Sequence, residues 1–234
     1  MQSYSSRFEN LSPLDYNMKH QLRATIVAAL VSLMTVSACS FPTAIQPSSI
    51  PAAEVAPNRR INTSAYYVIS DDILTWQKNV RPMGLSGSAH TWQVDLGTPT
   101  AETLRRTLDA AFTTAAPGIA PPSMQNALNF RFDLEDADAR IMFVSGFFSA
   151  VSRADVQIVI RVRVMDASGT EITRSIVQGT GGSGVDGQMD AMGGSIAAAA
   201  ERAIRNMATD FVYKVINTGA LAQAAVPMPA PTRR

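Results

Sequence analysis

The sequence predicts an α+β fold, with a mostly antiparallel sheet carrying two helices packed on one face, after a signal peptide and a Pro-rich tether. Three observations carry that expectation. Val156, Ile158, Ile160, Val162 and Val164 alternate with polar residues, the period of a half-buried strand. Two other stretches, around Leu104 and Ile204, repeat their apolar residues every three or four positions, the period of a helix with one buried stripe. The strand candidates follow one another through short turns instead of alternating with helices.

The chain opens on a leader. From Met18 it reads Met-Lys-His-Gln-Leu-Arg, then a twelve-residue apolar run from Ala24 to Thr35, then Val36-Ser37-Ala38-Cys39. A basic start, a short apolar run and small residues before a cleavage point are the parts of a secretory signal. Twelve residues are too few to cross a hydrocarbon core, which needs about 20. The expected boundaries are a signal peptide over 1–38, with Met18 as a second candidate start, and Cys39 plus a tether over 39–60. A periplasmic domain over 61–218 and an Ala/Pro-rich disordered tail over 219–234 follow. Pro42, Pro47, Pro51 and Pro57 sit among small residues with no apolar period, and such a linker reaches about 65 Å if fully extended as polyproline II.

Within the domain, Ala65–Ser70 is aromatic and β-branched, as strands prefer. A Gly/Ser-rich loop at 84–88 leads to a second strand around Trp92 and Val94. Thr98-Pro99 reads as an N-cap followed by proline in the first helical turn. Leu104, Leu108 and Phe112 form the buried stripe of that helix, which is expected to run on until just before Pro117. Phe130, Phe132 and Leu134 begin the β-rich half, and the apolar run 141–151 is a further strand. Asp166-Ala167-Ser168-Gly169 is turn chemistry joining the 156–164 strand to a returning strand at 171–178. The last helix is capped by Ser195 and buries Ile196, Ala200, Ile204, Met207, Phe211 and Val215. Glu201–Arg205 and Asp210–Lys214 pair on its outer side.

Composition narrows the function. The 234 residues are 46% apolar and 17% charged, too apolar for a disordered chain and too mixed for a multi-span membrane protein. Lys and Arg number 20 against 19 Asp and Glu, which argues against a dedicated nucleic-acid binder. From Cys39 onward there are 17 of each sign (20 less Arg7, Lys19 and Arg23; 19 less Glu9 and Asp15), so a membrane would hold this part through lipid and not through charge. A single cysteine excludes an intramolecular disulfide and a cysteine-based zinc site.

The motifs with chemical meaning are weak. Gly182-Ser183-Gly184-Val185-Asp186-Gly187 matches G-x-G-x-x-G, but a dinucleotide site needs the helix to start at once, and here it starts near Ser195. A flexible loop is the expectation. Asp133, Glu135, Asp136 and Asp138 lack the glycine and glutamate of a calcium loop, leaving a solvated turn between strands. His90 has no nucleophile elbow to serve. No catalytic residue, cofactor or metal site is expected.

Two regions suit partner binding. Tyr66, Tyr67, Trp76 and Trp92 gather near the start of the domain, as core or as an exposed anchor. The run 141–148, with Phe147 and Phe148, is either a strand buried on both faces or a cleft for a subunit, a lipid or a peptide. Arg161 and Arg163 share the polar strand face about 7 Å apart, which fits either an acidic partner or lipid phosphates, or else a solvated sheet face.

Val36–Cys39 resembles the lipobox of bacterial lipoproteins, whose cysteine carries the lipid, with palmitate among the acyl groups that this resemblance implies. Ser40 in place of Asp implies, by the same resemblance, sorting to the outer membrane, facing the periplasm. The segments 154–158 and 166–170, the Gly-rich stretch after Gly179 and the Ala-rich helix 196–215 resemble small envelope lipoproteins of the YajG type. Auxiliary lipoproteins of ABC-type envelope transporters and LptE-like assembly lipoproteins share this arrangement. The resemblance implies a non-enzymatic lipoprotein anchored through Cys39, with an envelope protein partner and no nucleic acid. Its alternative is a lipid- or solute-handling accessory of an envelope transporter.

Overall fold

The computed structural model describes residues 40–43, 45–55, 60–81, 91–145, 150–183 and 194–224. The chain divides into two units, Met1–Cys39 and Ser40–Arg234, and all described residues belong to the second. The predicted α+β class holds. A five-stranded sheet of order β5-β2-β6-β7-β8 is joined by a three-stranded sheet of order β1-β4-β3.

In the large sheet, β2 (Ile61–Ile69) runs parallel to both β5 (Phe112–Pro117) and β6 (Leu128–Ser145). The meander from β6 through β7 (Ala150–Met165) to β8 (Glu171–Gly182) is antiparallel. The sheet is therefore more mixed than predicted. Parallel pairing of β2 with β5 requires a crossover, and the chain makes it through α1 (Asp71–Leu74), β3 (Gln77–Val80), β4 (Thr91–Asp95) and α2 (Gly97–Ala111). Helix α2 covers β2 and β5, α3 (Gly194–Lys214) covers β7 and β8, and the two helices touch. Both lie on one face, as expected.

The strand phase read from the sequence is the observed one. Val156, Ile158, Ile160, Val162 and Val164 are all buried beneath α3. Ile196, Ala200, Ile204, Met207, Phe211 and Val215 bury the predicted stripe from the other side. Phe112, Phe130, Phe132 and Phe211 knit the layers together, with edge-on contacts at ring-centroid distances of 5.3 to 6.3 Å.

Helix α3 approaches β8 so closely that two positions admit no side chain. A Cβ on Gly179 would lie 1.9 Å from the Ala203 carbonyl oxygen, and one on Gly181 would lie 1.9 Å from that of Ala199. Along the same helix, Arg202, Asn206, Asp210 and Lys214 reach the outer edge of β8. The Asn206 amide donates to the Thr180 carbonyl at 2.8 Å, and the Lys214 ammonium donates to that of Ile176 at 3.1 Å. The Asp210 carboxylate accepts the Gln178 N–H at 2.9 Å, and Arg202 donates to the Gly182 carbonyl. Asp210 and Lys214 also pair as predicted, at 2.8 Å, whereas Glu201 accepts the Ser49 hydroxyl.

Four expectations are corrected. Residues 40–55 do not form an extended tether: β1 (Ser40–Pro42) pairs with β4, and Ile45, Ile50 and Ala53 are buried. Arg106 of α2 donates to the carbonyls of Pro47 and Ile50, fixing the short helical turn Pro47–Ser49. Next, the acidic stretch 133–138 is not a turn but the middle of β6, where a bulge between Leu134 and Asp136 accommodates Glu135. Then, α2 stops at Ala111 and Phe112 begins β5 without a loop, while the helix start is held by Asp95, whose carboxylate accepts from the Thr98 N–H and hydroxyl. Finally, the fold continues past 218 into α4 (Ala220–Ala224), which buries Leu221 completely.

Candidate interaction surfaces

The face of the large sheet away from the helices is the surface to which the sequence assigned Arg161 and Arg163. Period-2 alternation places Arg131 and Asp133 of β6 beside Arg163 and Arg161 of β7. Arg163 Nη2 meets Asp133 Oδ2 at 2.8 Å, and Arg131 Nε meets Asp133 Oδ1 at 3.0 Å. Arg161 Nη2 meets Glu135 Oε1 at 2.5 Å. Further along β6, Asp138 accepts from Lys78 of β3 and from Arg140 at 2.5 Å. Arg174 pairs with Glu171 at 2.8 Å on β8, and Arg153 with Asp155 at 3.5 Å on β7.

Each guanidinium that the sequence offered to a partner is thus matched by a carboxylate of the same sheet. Arg161 and Arg163 do not stand as two unneutralised cations, and the face suits an acidic partner or lipid phosphates less than expected. Alternation from Asp133 already points Glu135 to this face, next to Arg161. Glu135 is the extra residue of β6, and the bulge shifts the phase after it, so that Asp136 and Asp138, which strict alternation would turn toward the helices, share the open side while Ala139 and Ile141 are buried. The sequence presents these acids as a turn because, Arg131 and Arg140 apart, their basic partners lie 26 to 60 residues away, with Lys78 the most remote.

Partial burial pushes the Asp133 carboxyl up, but hydrogen bonds from Arg163 and Arg131 outweigh it and hold its pKa below the usual carboxylate range. Asp138 behaves alike: burial raises it, and Lys78 and Arg140 bring it below its ordinary value. A carboxyl with a lower pKa folded than unfolded contributes stability above its unfolded pKa, near 4, and that contribution is lost as pH falls through the folded value. Thermal midpoints should therefore decline as pH drops below about 4. Asp133→Asn should lower the midpoint at pH 7 and flatten that acid limb. An unchanged acid limb in Asp133→Asn would show that the pairing on this face contributes nothing to pH-dependent stability.

A cleft of about 500 Å³ opens at the far end of this face, lined by Asp138, Arg140, Arg153, Asp155 and Gln157 among others. Its walls are mixed, with Met142 and Val156 beside the charged side chains. Among the described residues no cluster of three or more His, Cys, Asp or Glu side chains could hold a metal ion. No helix among them is long and apolar enough to cross a membrane.

Of the aromatic group, Tyr67 and Trp92 are buried, and Tyr66 and Trp76 are half-buried. The sequence therefore located core as much as surface there. In the apolar run, Ile141 is buried and Met142 half-buried, and the strand pairs with β7 as far as Ser145 and Ala150. Phe147 and Phe148 lie outside the described residues, as do Cys39, His90 and positions 184–187 of the glycine motif.

No family model and no curated protein matches the sequence. Among solved structures, the chain has partial likeness to a minor lipoprotein from Acinetobacter baumannii, at 9% identity and a TM-score of 0.36, covering 66% of this chain and 92% of that one. A hypothetical protein from Chlamydia trachomatis overlaps at 10% identity and a TM-score of 0.40, covering 69% and 99%.

Proposed function

We propose that this chain is a bacterial lipoprotein acylated at Cys39, whose α+β domain acts without catalysis as a docking component of an outer-membrane assembly facing the periplasm. The observation that carries this reading is the basic and apolar leader ending in Val36-Ser37-Ala38-Cys39, one residue before strand β1 begins at Ser40. The paired charges of the open sheet face support docking over chemistry, because a cross-strand ion-pair lattice fixes register and leaves these arginines and carboxylates engaged with one another.

The accessory reading, in which the protein handles a lipid or solute for an envelope transporter, would use the run 141–148. Met142 of that run lines the described cleft together with Val156, Asp138, Arg140, Arg153 and Asp155, so its lining is part apolar and part charged.

Acylation is tested in cells fed radiolabelled palmitate. The wild-type protein should take up label and float with membranes. Cys39→Ala should do neither and should accumulate as precursor, since no other thiol exists in the chain. Label retained by Cys39→Ala would remove the basis for the lipoprotein reading. Purification from detergent-solubilised membranes then separates the roles: a stoichiometric protein partner favours docking, and co-purifying lipid favours the accessory reading.

A further inference from the structure

The anchor point and the fold adjoin each other. Ser40, the residue after Cys39, is already in register with Thr91, and Phe41 and Pro42 pair with Trp92 and Gln93. The Thr43 N–H continues the ladder to the Gln93 carbonyl at 2.9 Å. Val80, at the end of β3, pairs with Trp92, so the start of β1, the start of β4 and the end of β3 form one corner of the small sheet. The segment behind it is held by burial of Ile45 and Ile50 and by Arg106, so it cannot pay out as slack without losing core contacts.

We infer that this corner sits directly against the headgroup layer of the membrane, so that the domain is seated on the bilayer surface and not suspended from it. The inference rests on acylation of Cys39, and it adds which surface meets the lipid and at what distance. Charge supports it independently. No charged residue occurs from Ser40 to Ala53, and Arg81, just past the end of β3, is exposed. Anionic headgroups are thus met by a neutral strand and one cation.

The reach of the anchored domain changes accordingly. An extended linker over residues 40–60 would have allowed excursions of about 65 Å, whereas the observed fold leaves about one Cα–Cα step of 3.8 Å between anchor and sheet.

The test attaches a fluorophore through a genetically encoded ketone amino acid, leaving Cys39 as the only thiol. One probe replaces Gln93, an exposed residue of β4 beside Pro42. The other replaces Thr170, an exposed residue of the turn between β7 and β8. That turn lies near Asn129, which is nine residues, or about 30 Å along β6, from the Asp138 that Lys78 of β3 contacts. The acylated protein is placed in phosphatidylethanolamine/phosphatidylglycerol vesicles carrying a headgroup quencher. Quenching should be several-fold stronger at position 93 than at 170. A twenty-residue Gly/Ser insertion between Cys39 and Ser40, spanning about 25 Å, should erase the difference. Equal, weak quenching at both positions without the insertion would overturn the seated arrangement. Should mass spectrometry find Cys39 unacylated, the lipoprotein reading fails on that result alone. The same two probes then decide the seating with protein coupled through Cys39 to a maleimide lipid.

Discussion

Gly181→Ala should destabilise the domain by about 3 kcal/mol or more, and Gly179→Ala by a similar amount. Each adds one methyl group, but that methyl would sit 1.9 Å from a helix carbonyl and 2.4 to 2.6 Å from a backbone nitrogen. Neither obstacle is the end of a flexible side chain. Relief requires α3 to lift from β8, which would weaken the burial of Ala199, Ala203 and Met207. Gly182→Ala is the control, because its Cβ would meet the Asp155 carboxylate at 3.3 Å and that side chain can turn aside. It should cost less than about 1 kcal/mol. Urea unfolding midpoints measure all three, and similar values for 181 and 182 would mean that helix and strand are not in this contact.

Ile160→Asp should be the most damaging substitution in the sheet. Ile160 is fully buried between Leu134 and Val177, and a carboxylate there has no cationic partner, a cost of several kcal/mol whether it stays charged or takes up a proton. Arg161→Asp, one residue on, faces the open side of the sheet. It loses the Glu135 pair and places a new carboxylate opposite Asp133, so about 1 to 2 kcal/mol is expected. Denaturant melts of the two variants should differ widely, and equal losses would show the strand to be one residue out of phase.

That phase was legible because β-branched residues at every second position leave one arrangement in which the apolar face is dry. The last helix was legible for the same reason, through Ile196 to Val215. Strand β5 was hidden because Phe112 continues the four-residue spacing of Leu104 and Leu108, which extends the helical pattern past the end of the helix. The change to β comes at Thr113 and Thr114, whose hydroxyls bond across to Asn62 and Ser64 on β2, partners that a local reading does not see. The docked segment 40–55 was missed for a similar reason. Ile45 and Ile50 are isolated among prolines, and only Arg106, far along the chain, reveals that they have somewhere to go. For the candidate surfaces, the sequence placed the arginines on the correct face but not the acids that neutralise them, since the bulge at Glu135 breaks the alternation on which the reading depended.

The outer row of α3 and the free edge of β8 form two rulers of unequal pitch. Four helix residues advance about 6.0 Å, while two strand residues advance about 6.7 Å, so the marks drift by about 2 Å over the three intervals from Arg202 to Lys214. The side chains are graded to absorb that drift, with short Asn206 and Asp210 in the middle and long Arg202 and Lys214 at the ends. The row ends where its residues do, since Ala198, one step before Arg202, has no polar end and Thr218, one step after Lys214, lies past the end of α3, so the sealed length of the edge runs from Ile176 to Gly182. Within that length, one outward-facing backbone group on each of Ile176, Gln178, Thr180 and Gly182, of the kind that would recruit a foreign strand, is occupied by the protein's own helix. The grading also acts as a vernier: only one sliding position of helix against strand sets donors against carbonyls and the lone carboxylate against an N–H.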